Sequence, residues 1–277
     1  MMKRRELLAG LALGLAGCAP PPPLPRPAVT RAKATPGLVD EPALLGLNAV
    51  IDLHHANTVR SFAQARDKSG ILGVIHKASE GDWRDPRHDE RRAMAEGEDL
   101  LWGSYHFGTR QHPGAVQAHM FLDAAKPSPQ TLLVLDLELN ERSHANTMEL
   151  AAAEDFVRTV FTAQGRWPVL YVHPAWADGE PLLGRTLGGA ITAASPLATC
   201  DLWLADYRYE PELPAAWSKR GWTFWQFAGD NPVSGGPFRD QAAMVAGIDR
   251  CDRSVFAGPR ERLIRYWTAE AGRGTVS

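Results

Sequence analysis

The sequence predicts an α/β fold, a single-domain, TIM-like (β/α) barrel of irregular form. Three observations point there. Short strand-like apolar runs alternate with helical patterns, as expected of a mainly parallel sheet covered by helices. The stretch beyond residue 37 is roughly 240 residues long, the size class of an α/β barrel. Polar and ionisable residues fall at or just past the C-terminal ends of the strand-like runs, where barrels of this kind build their sites.

The elements follow in order. Residues 47–53 (LNAVIDL) form a first strand, 58–68 a helix, and 71–77 the next strand. A polar helix rich in Arg and Glu covers 88–97, followed by a strand at 101–107 and a helix at 113–124. Residues 132–138 (LLVLDLE) make an apolar run of the kind that sits in a central strand. A long helix over 145–164 closes at Gly165. Strands at 169–172, 201–205 and 222–227 complete the series, the last two dense in aromatic residues. No internal repeat is evident.

The rim that these strand ends define carries Asp52, Lys77, Glu80, Tyr105, His106, Asp136, Glu138, Tyr171, Asp206, Tyr207 and Gln226. Asp136 and Glu138 are two residues apart on one strand and therefore emerge on one face. Paired carboxylates with separate roles are the equipment of glycoside hydrolysis. The plainer reading is a polar strand end whose acids cap the next helix or pair with arginines.

The N-terminus reads as an export signal over residues 1–17. Lys3, Arg4 and Arg5 form a basic start, and 7–16 is an apolar stretch too short to span a bilayer comfortably. It ends Leu15-Ala16-Gly17-Cys18, which resembles a bacterial lipobox, with Cys18 as the lipidated residue. Several acyl chains on that cysteine would anchor the chain to a membrane. Arg4-Arg5 also resembles a twin-arginine signal, which leaves the export route open. Residues 18–37 are dense in proline, with Pro20 to Pro23 consecutive, and form a semi-rigid spacer. The catalytic barrel then occupies 38–277. The expected location is that of an exported, membrane-anchored lipoprotein, on the periplasmic face of the outer membrane if the cell has two membranes.

A net charge of −2, with no clustered basic stripe, excludes nucleic acid as an expected partner. Of three cysteines, Cys200 and Cys251 remain once Cys18 carries lipid, and their pairing is left open.

Taken together, the motifs resemble those of the glycoside hydrolase family 25 lysozymes, the Chalaropsis-type muramidases. The family's opening strand ends Asp-x-Ser, and Asp52-Leu53-His54 stands there. Its Ile-Lys-Ala-Thr-Glu-Gly appears as His76-Lys77-Ala78-Ser79-Glu80-Gly81, and its Gly-Ala-Tyr-His-Phe as Gly103-Ser104-Tyr105-His106-Phe107. Leu135-Asp136-Leu137-Glu138 matches Leu-Asp-x-Glu, Leu202-Trp203-Leu204-Ala205-Asp206-Tyr207 matches Leu-Trp-x-Ala-x-Tyr, and Trp225-Gln226-Phe227 matches Trp-Gln-Tyr. The terminal Val-Asp-Leu-Asn-x-Phe is best matched by residues 251–256, with Asp249 as a competitor to Asp252 for the last acid. The match spans about residues 46–256, in order. It departs at His54, followed by His55, in place of Ser, and at Ser254 in place of Asn.

The resemblance implies cleavage of the β-1,4 bond between N-acetylmuramic acid and N-acetylglucosamine in peptidoglycan glycan strands, by a monomer with no cofactor. Glu138 would be the general acid, with Asp136 as stabilising or orienting carboxylate and Asp52 and Asp252 supplying further negative charge. Family members are thought to retain configuration with the substrate's acetamido group as nucleophile, in which case Asp136 orients or polarises that group. Strand spacing does not decide between retention and inversion. Glu80, Tyr105, Tyr207, Trp225 and Gln226 are candidates for substrate binding. One alternative is a metal-dependent hydrolase using Asp52, His54, His55, His76 and His106, although His54 and His55 would point to opposite faces of a continued strand. The other is a non-catalytic peptidoglycan-binding lipoprotein on the same fold, against which the intact Asp136 and Glu138 argue.

Overall fold

The structure, a computed structural model, describes residues 42–229 and 236–273. The expected export signal, Cys18 and the Pro-rich spacer lie outside the described residues.

The ordered elements are β1 (Leu47–Leu53), α1 (Phe62–Ser69), β2 (Gly73–Glu80), β3 (Trp83–Arg84), α2 (His88–Glu96), β4 (Leu101–Phe107), α3 (Gly114–Ala125), β5 (Leu132–Asp136), α4 (Leu150–Gln164), β6 (Val169–Val172), α5 (Pro174–Ala177), β7 (Leu202–Ala205), β8 (Phe224–Ala228), β9 (Asp252–Phe256) and α6 (Arg260–Arg265). Eight strands close in the order β1-β2-β4-β5-β6-β7-β8-β9 and back to β1, while β3 is a short antiparallel addition to the end of β2. The expected TIM-like barrel is the observed fold, and its irregularity is specific. β9 runs antiparallel to both β8 and β1. A parallel strand needs a crossover to the far end of the barrel. The chain leaving β8 instead re-enters from the same end. The start of β9 therefore lies beside the C-terminal ends of the other strands.

Side chains alternate across the wall. Val50, Ile75, Tyr105, Val134, Tyr171, Trp203 and Phe224 belong to the cluster that fills the lumen. On the outside, Leu133, Leu135 and Leu170 meet Phe121 of α3 and Phe156, Val157 and Val160 of α4. Ile51 and Val74 meet Phe62 and Ala65 of α1 and Ala95 of α2 in a separate layer. The floor is closed by Trp267, whose indole N–H donates to the Trp102 carbonyl at 2.9 Å. A Cβ at Gly73 would stand 2.8 Å from that ring, so the strand approaches it only because residue 73 is glycine.

Several expected bounds shift; the helix expected at 58–68 runs Phe62–Ser69, and two other shifts lie near the acids. The helix expected from 145 starts at Leu150, because Thr147 is drawn into extended pairing with Thr109 and its hydroxyl accepts from the Asn140 N–H at 3.0 Å. The strand expected to reach Glu138 ends at Asp136, although the Leu137 N–H still bonds the Tyr171 carbonyl at 3.0 Å and carries the extended path one step further. Cys200 is a free thiol in the outer core beside α4, and Cys251 is buried in the α1 layer, so the two do not bridge.

Candidate active site

One end of the barrel gathers the acids. Asp52 closes the inward-facing row of β1, and its Cα partner on β9 is Asp252. The antiparallel entry of β9 thus sets two carboxylates opposite each other, where like charges repel. Asp136 is the last inward residue of β5, in register with Phe107 of β4 and Tyr171 of β6. Glu138 follows two residues on, partly exposed at the mouth.

Gln226 ties this ring together. Its Oε1 accepts from the hydroxyls of Tyr171 (2.8 Å) and Tyr207 (2.5 Å), and its Nε2 donates to both oxygens of Asp52 (3.1 and 3.0 Å). Two hydroxyl donors on one side and a carboxylate on the other leave only one sensible amide orientation. Burial, together with the surrounding carboxylates, pushes both tyrosines well above the usual phenol range, so they remain donors.

Lys77 and Glu80 are three residues apart and would face opposite sides of a regular strand. A bulge in β2 between Lys77 and Ser79 reverses the parity, and the two form an ion pair at 2.9 Å. The Lys77 ammonium also lies 4.8 Å from the centre of the Phe107 ring and 5.7 Å from that of Tyr105. It is the cation set against the acids.

Burial raises the Glu138 carboxyl to about 7; Lys77 opposes the shift, and Glu141 and Glu80 add to it. Asp136 is 8% exposed, and its Oδ1 has no hydrogen-bond partner among the described residues. Burial lifts its carboxyl well above the ordinary range, with the ionised Glu138 adding to the effect. A carboxyl that is still acidic at neutral pH, beside a second buried carboxyl, can protonate a leaving oxygen and answer the positive charge that develops.

The other expected site residues sort themselves by geometry. Tyr105 lines the lumen wall below the acids, and Tyr207 is partly exposed at the mouth. Glu80 stands at the edge of the rim, held by Lys77. Trp225 is a correction. It is 0% exposed, packs outward with Phe227 and Trp222, and donates its indole N–H to the Asp206 carbonyl at 2.6 Å, so it presents no face to a sugar. Strand parity explains this: if Gln226 faces the lumen, residue 225 faces the helices. Gln226 is also corrected, from a substrate ligand to a buried tie whose amide is occupied by protein groups.

Asp249 pairs with Arg60 at 2.7 Å in the segment before β9, which leaves Asp252 as the acid on the barrel. The histidines considered as metal ligands do not converge. His76 packs outside the wall on Trp102 and His106 on Phe156, each in its own layer. Among the described residues no group of three or more metal-ligating side chains assembles. Tyr171 and Lys77 were legible as rim positions but carried no assigned role. Their partners lie across the barrel or across a bulge.

A family model described as glycosyl hydrolases family 25 matches residues 51–236. Comparison with curated protein sequences finds no match. Among solved structures, a muramidase from Acremonium alcalophilum is 24% identical, with a TM-score of 0.63 over 80% of this chain and 99% of that one. A family GH25 lysozyme from Aspergillus fumigatus is 25% identical, with a TM-score of 0.61 over 80% and 99%. A bacterial lysozyme from Streptomyces coelicolor is 20% identical, with a TM-score of 0.62 over 82% and 99%, and shares the fold.

Proposed function

The chain belongs to the glycosyl hydrolases of family 25 and is a glycoside hydrolase, and from that premise we propose that it is an N-acetylmuramidase acting on peptidoglycan. The observation that carries this reading is the gathering of Asp52, Asp252, Asp136 and Glu138 at one end of the barrel, with burial raising the Glu138 carboxyl to about 7. The family GH25 lysozyme that is 25% identical supports the choice of substrate.

In this scheme Glu138 protonates the glycosidic oxygen between N-acetylmuramic acid and N-acetylglucosamine as the C–O bond breaks, and water finally takes the anomeric carbon and returns a proton to the carboxylates. Asp136 orients the substrate's acetamido group. The Oδ1 of Asp136 is sealed in the wall, so the other edge of the carboxyl meets the substrate. An amide N–H bonded there, with positive charge growing at the anomeric carbon, favours the ionised form, and the Asp136 proton passes to solvent as the substrate binds. Asp52, fixed by Gln226, and Asp252 opposite it add negative potential that stabilises an oxocarbenium-like transition state. Tyr105 and Tyr207 line the path of the sugar.

The deciding experiment is digestion of purified peptidoglycan with residues 38–277. Soluble fragments ending in reducing muramic acid are expected by mass spectrometry. Binding without release from several wall types would replace this reading with a non-catalytic one.

A pH profile tests the role of Glu138 separately. A proton donor works only while protonated, so kcat/KM is expected to hold below about 7 and fall as pH rises through it. Lys77→Met removes the charge that favours the ionised form and moves that limb to higher pH. A limb that stays in place in the variant would remove Lys77 from the account.

The reading includes a lipid anchor at Cys18, with residues 19–36 as the spacer that lets the domain reach the wall. Support comes from the lipobox-like Leu15-Ala16-Gly17-Cys18. Labelled fatty acid fed to an expressing bacterium should enter the full-length chain and not Cys18→Ser. Equal labelling of both, or of neither, would sink the anchor.

A further inference from the structure

Beyond the acids, β2 turns at Gly81 (φ 54) and returns as β3, where Trp83 is the Cα partner of Glu80. Trp83 is 41% exposed, a large apolar side chain left open one ladder step from the rim. It is also braced. The His55 ring stands edge-on to it at 5.0 Å and 68°, and the His54 ring stands edge-on to His55 at 5.3 Å.

His55 is fixed in turn. Its backbone N–H donates to Asp85 Oδ2 at 2.8 Å, and its Nδ1 lies 3.3 Å from the same oxygen. The Asp85 side chain is wholly buried, whereas that of His55 remains 37% exposed. Asp85 Oδ1 accepts the Arg87 N–H at 2.9 Å, so the anchoring carboxylate is itself immobilised. A strip of three rings thus runs from the end of β1, just past Asp52, to the outer edge at β3. The hydrolytic scheme uses none of them. One of the three, His54, stands where the opening motif departs from its family pattern, and His55 follows it.

We infer that Trp83 and His55 form a saccharide subsite, taking the pyranose ring of a glycan residue on the β1–β2 side of the scissile bond. The inference rests on the peptidoglycan reading above. A pyranose offers an apolar C–H face and a polar perimeter, which an exposed aromatic face beside a hydrogen-bonding imidazole edge complements. The His55 ring braces the indole edge-on, and 41% of the residue is left to solvent. Because a buried carboxylate fixes His55 and His55 braces Trp83, little ordering remains to be done on binding. The subsite lies away from the breaking bond, so it binds ground state and transition state alike and acts on KM rather than on kcat.

The test is the kinetics of Trp83→Ala and Trp83→Phe on soluble glycan strands of increasing length, with affinities measured calorimetrically in the Glu138→Gln background. Trp83→Ala is expected to raise KM on long strands about tenfold, with kcat within about twofold, as for loss of one aromatic anchor. The shortest strand that is cleaved should show no such rise, and Trp83→Phe should recover most of the affinity. Unchanged KM on long strands, or an equal rise on short and long ones, would overturn the subsite. If the wild-type chain binds strands without cutting them, and Trp83→Ala weakens that binding about tenfold, the hydrolytic reading fails and the subsite stands. Neither cutting nor binding would overturn both.

Discussion

Glu138→Gln is expected to lower kcat on peptidoglycan by roughly 10²- to 10⁴-fold, the usual contribution of a positioned general acid, while the protein stays folded. The amide matches the carboxyl in shape and lacks the transferable proton. Folding should not suffer, because burial already penalises the charged form of this residue and glutamine carries no charge. Glu138 also lies beyond the last ladder residue of β5, so its side chain is not part of the wall. The measurement is single-turnover release of muropeptides, with thermal melting as the check on folding. A variant that keeps about a tenth of wild-type activity would refute the assignment, since that loss is below what general acids contribute. The exposed neighbour Glu141 is the control. Glu141→Gln removes a charge that helps keep Glu138 protonated, so it should move the alkaline limb to lower pH and leave the rate at low pH near wild type.

How much of this was legible beforehand depends on whether a residue's role is local. Asp52, Tyr105 and Asp136 could be placed because a strand's alternation and its C-terminal end are both visible in a short run of residues. The same alternation, applied to Gln226, turns Trp225 outward, whereas its place in the motif suggests a sugar contact. Asp252 was found as a motif residue, yet its place depends on β9 entering from the rim, which is set by the path of the chain after β8. The Lys77–Glu80 pair depends on a bulge of one residue, for which the run His76-Lys77-Ala78-Ser79 gives no sign. Tyr171 acquires its role from Gln226, 55 positions away. In the fold, the strand at 101–107 and the one at 169–172 were bounded as observed, because apolar runs between turn residues mark both ends. The start of α4 was misplaced because Thr147 is claimed by a distant threonine.

Asp136→Asn should reduce kcat by about 10²- to 10³-fold, the scale of removing one preorganised electrostatic group, with a distinctive signature in pH. In the free protein burial, with the Glu138 charge beside it, favours the neutral form of Asp136. A neutral asparagine therefore resembles the resting side chain, and the alkaline limb of kcat/KM should stay near 7, where Glu138 places it. The loss should appear in kcat, since the charge on Asp136 is needed only when the acetamido group is bound and positive charge develops beside it. The two readouts separate the possible roles. If the rate falls by less than about tenfold, Asp136 acts as a neutral hydrogen-bonding group, and the stabilising charge comes from Asp52 and Asp252, one held by Gln226 and the other facing it across the ladder. If instead the limb moves down with the substitution, Asp136 is ionised in the free protein and is the charge that keeps Glu138 protonated.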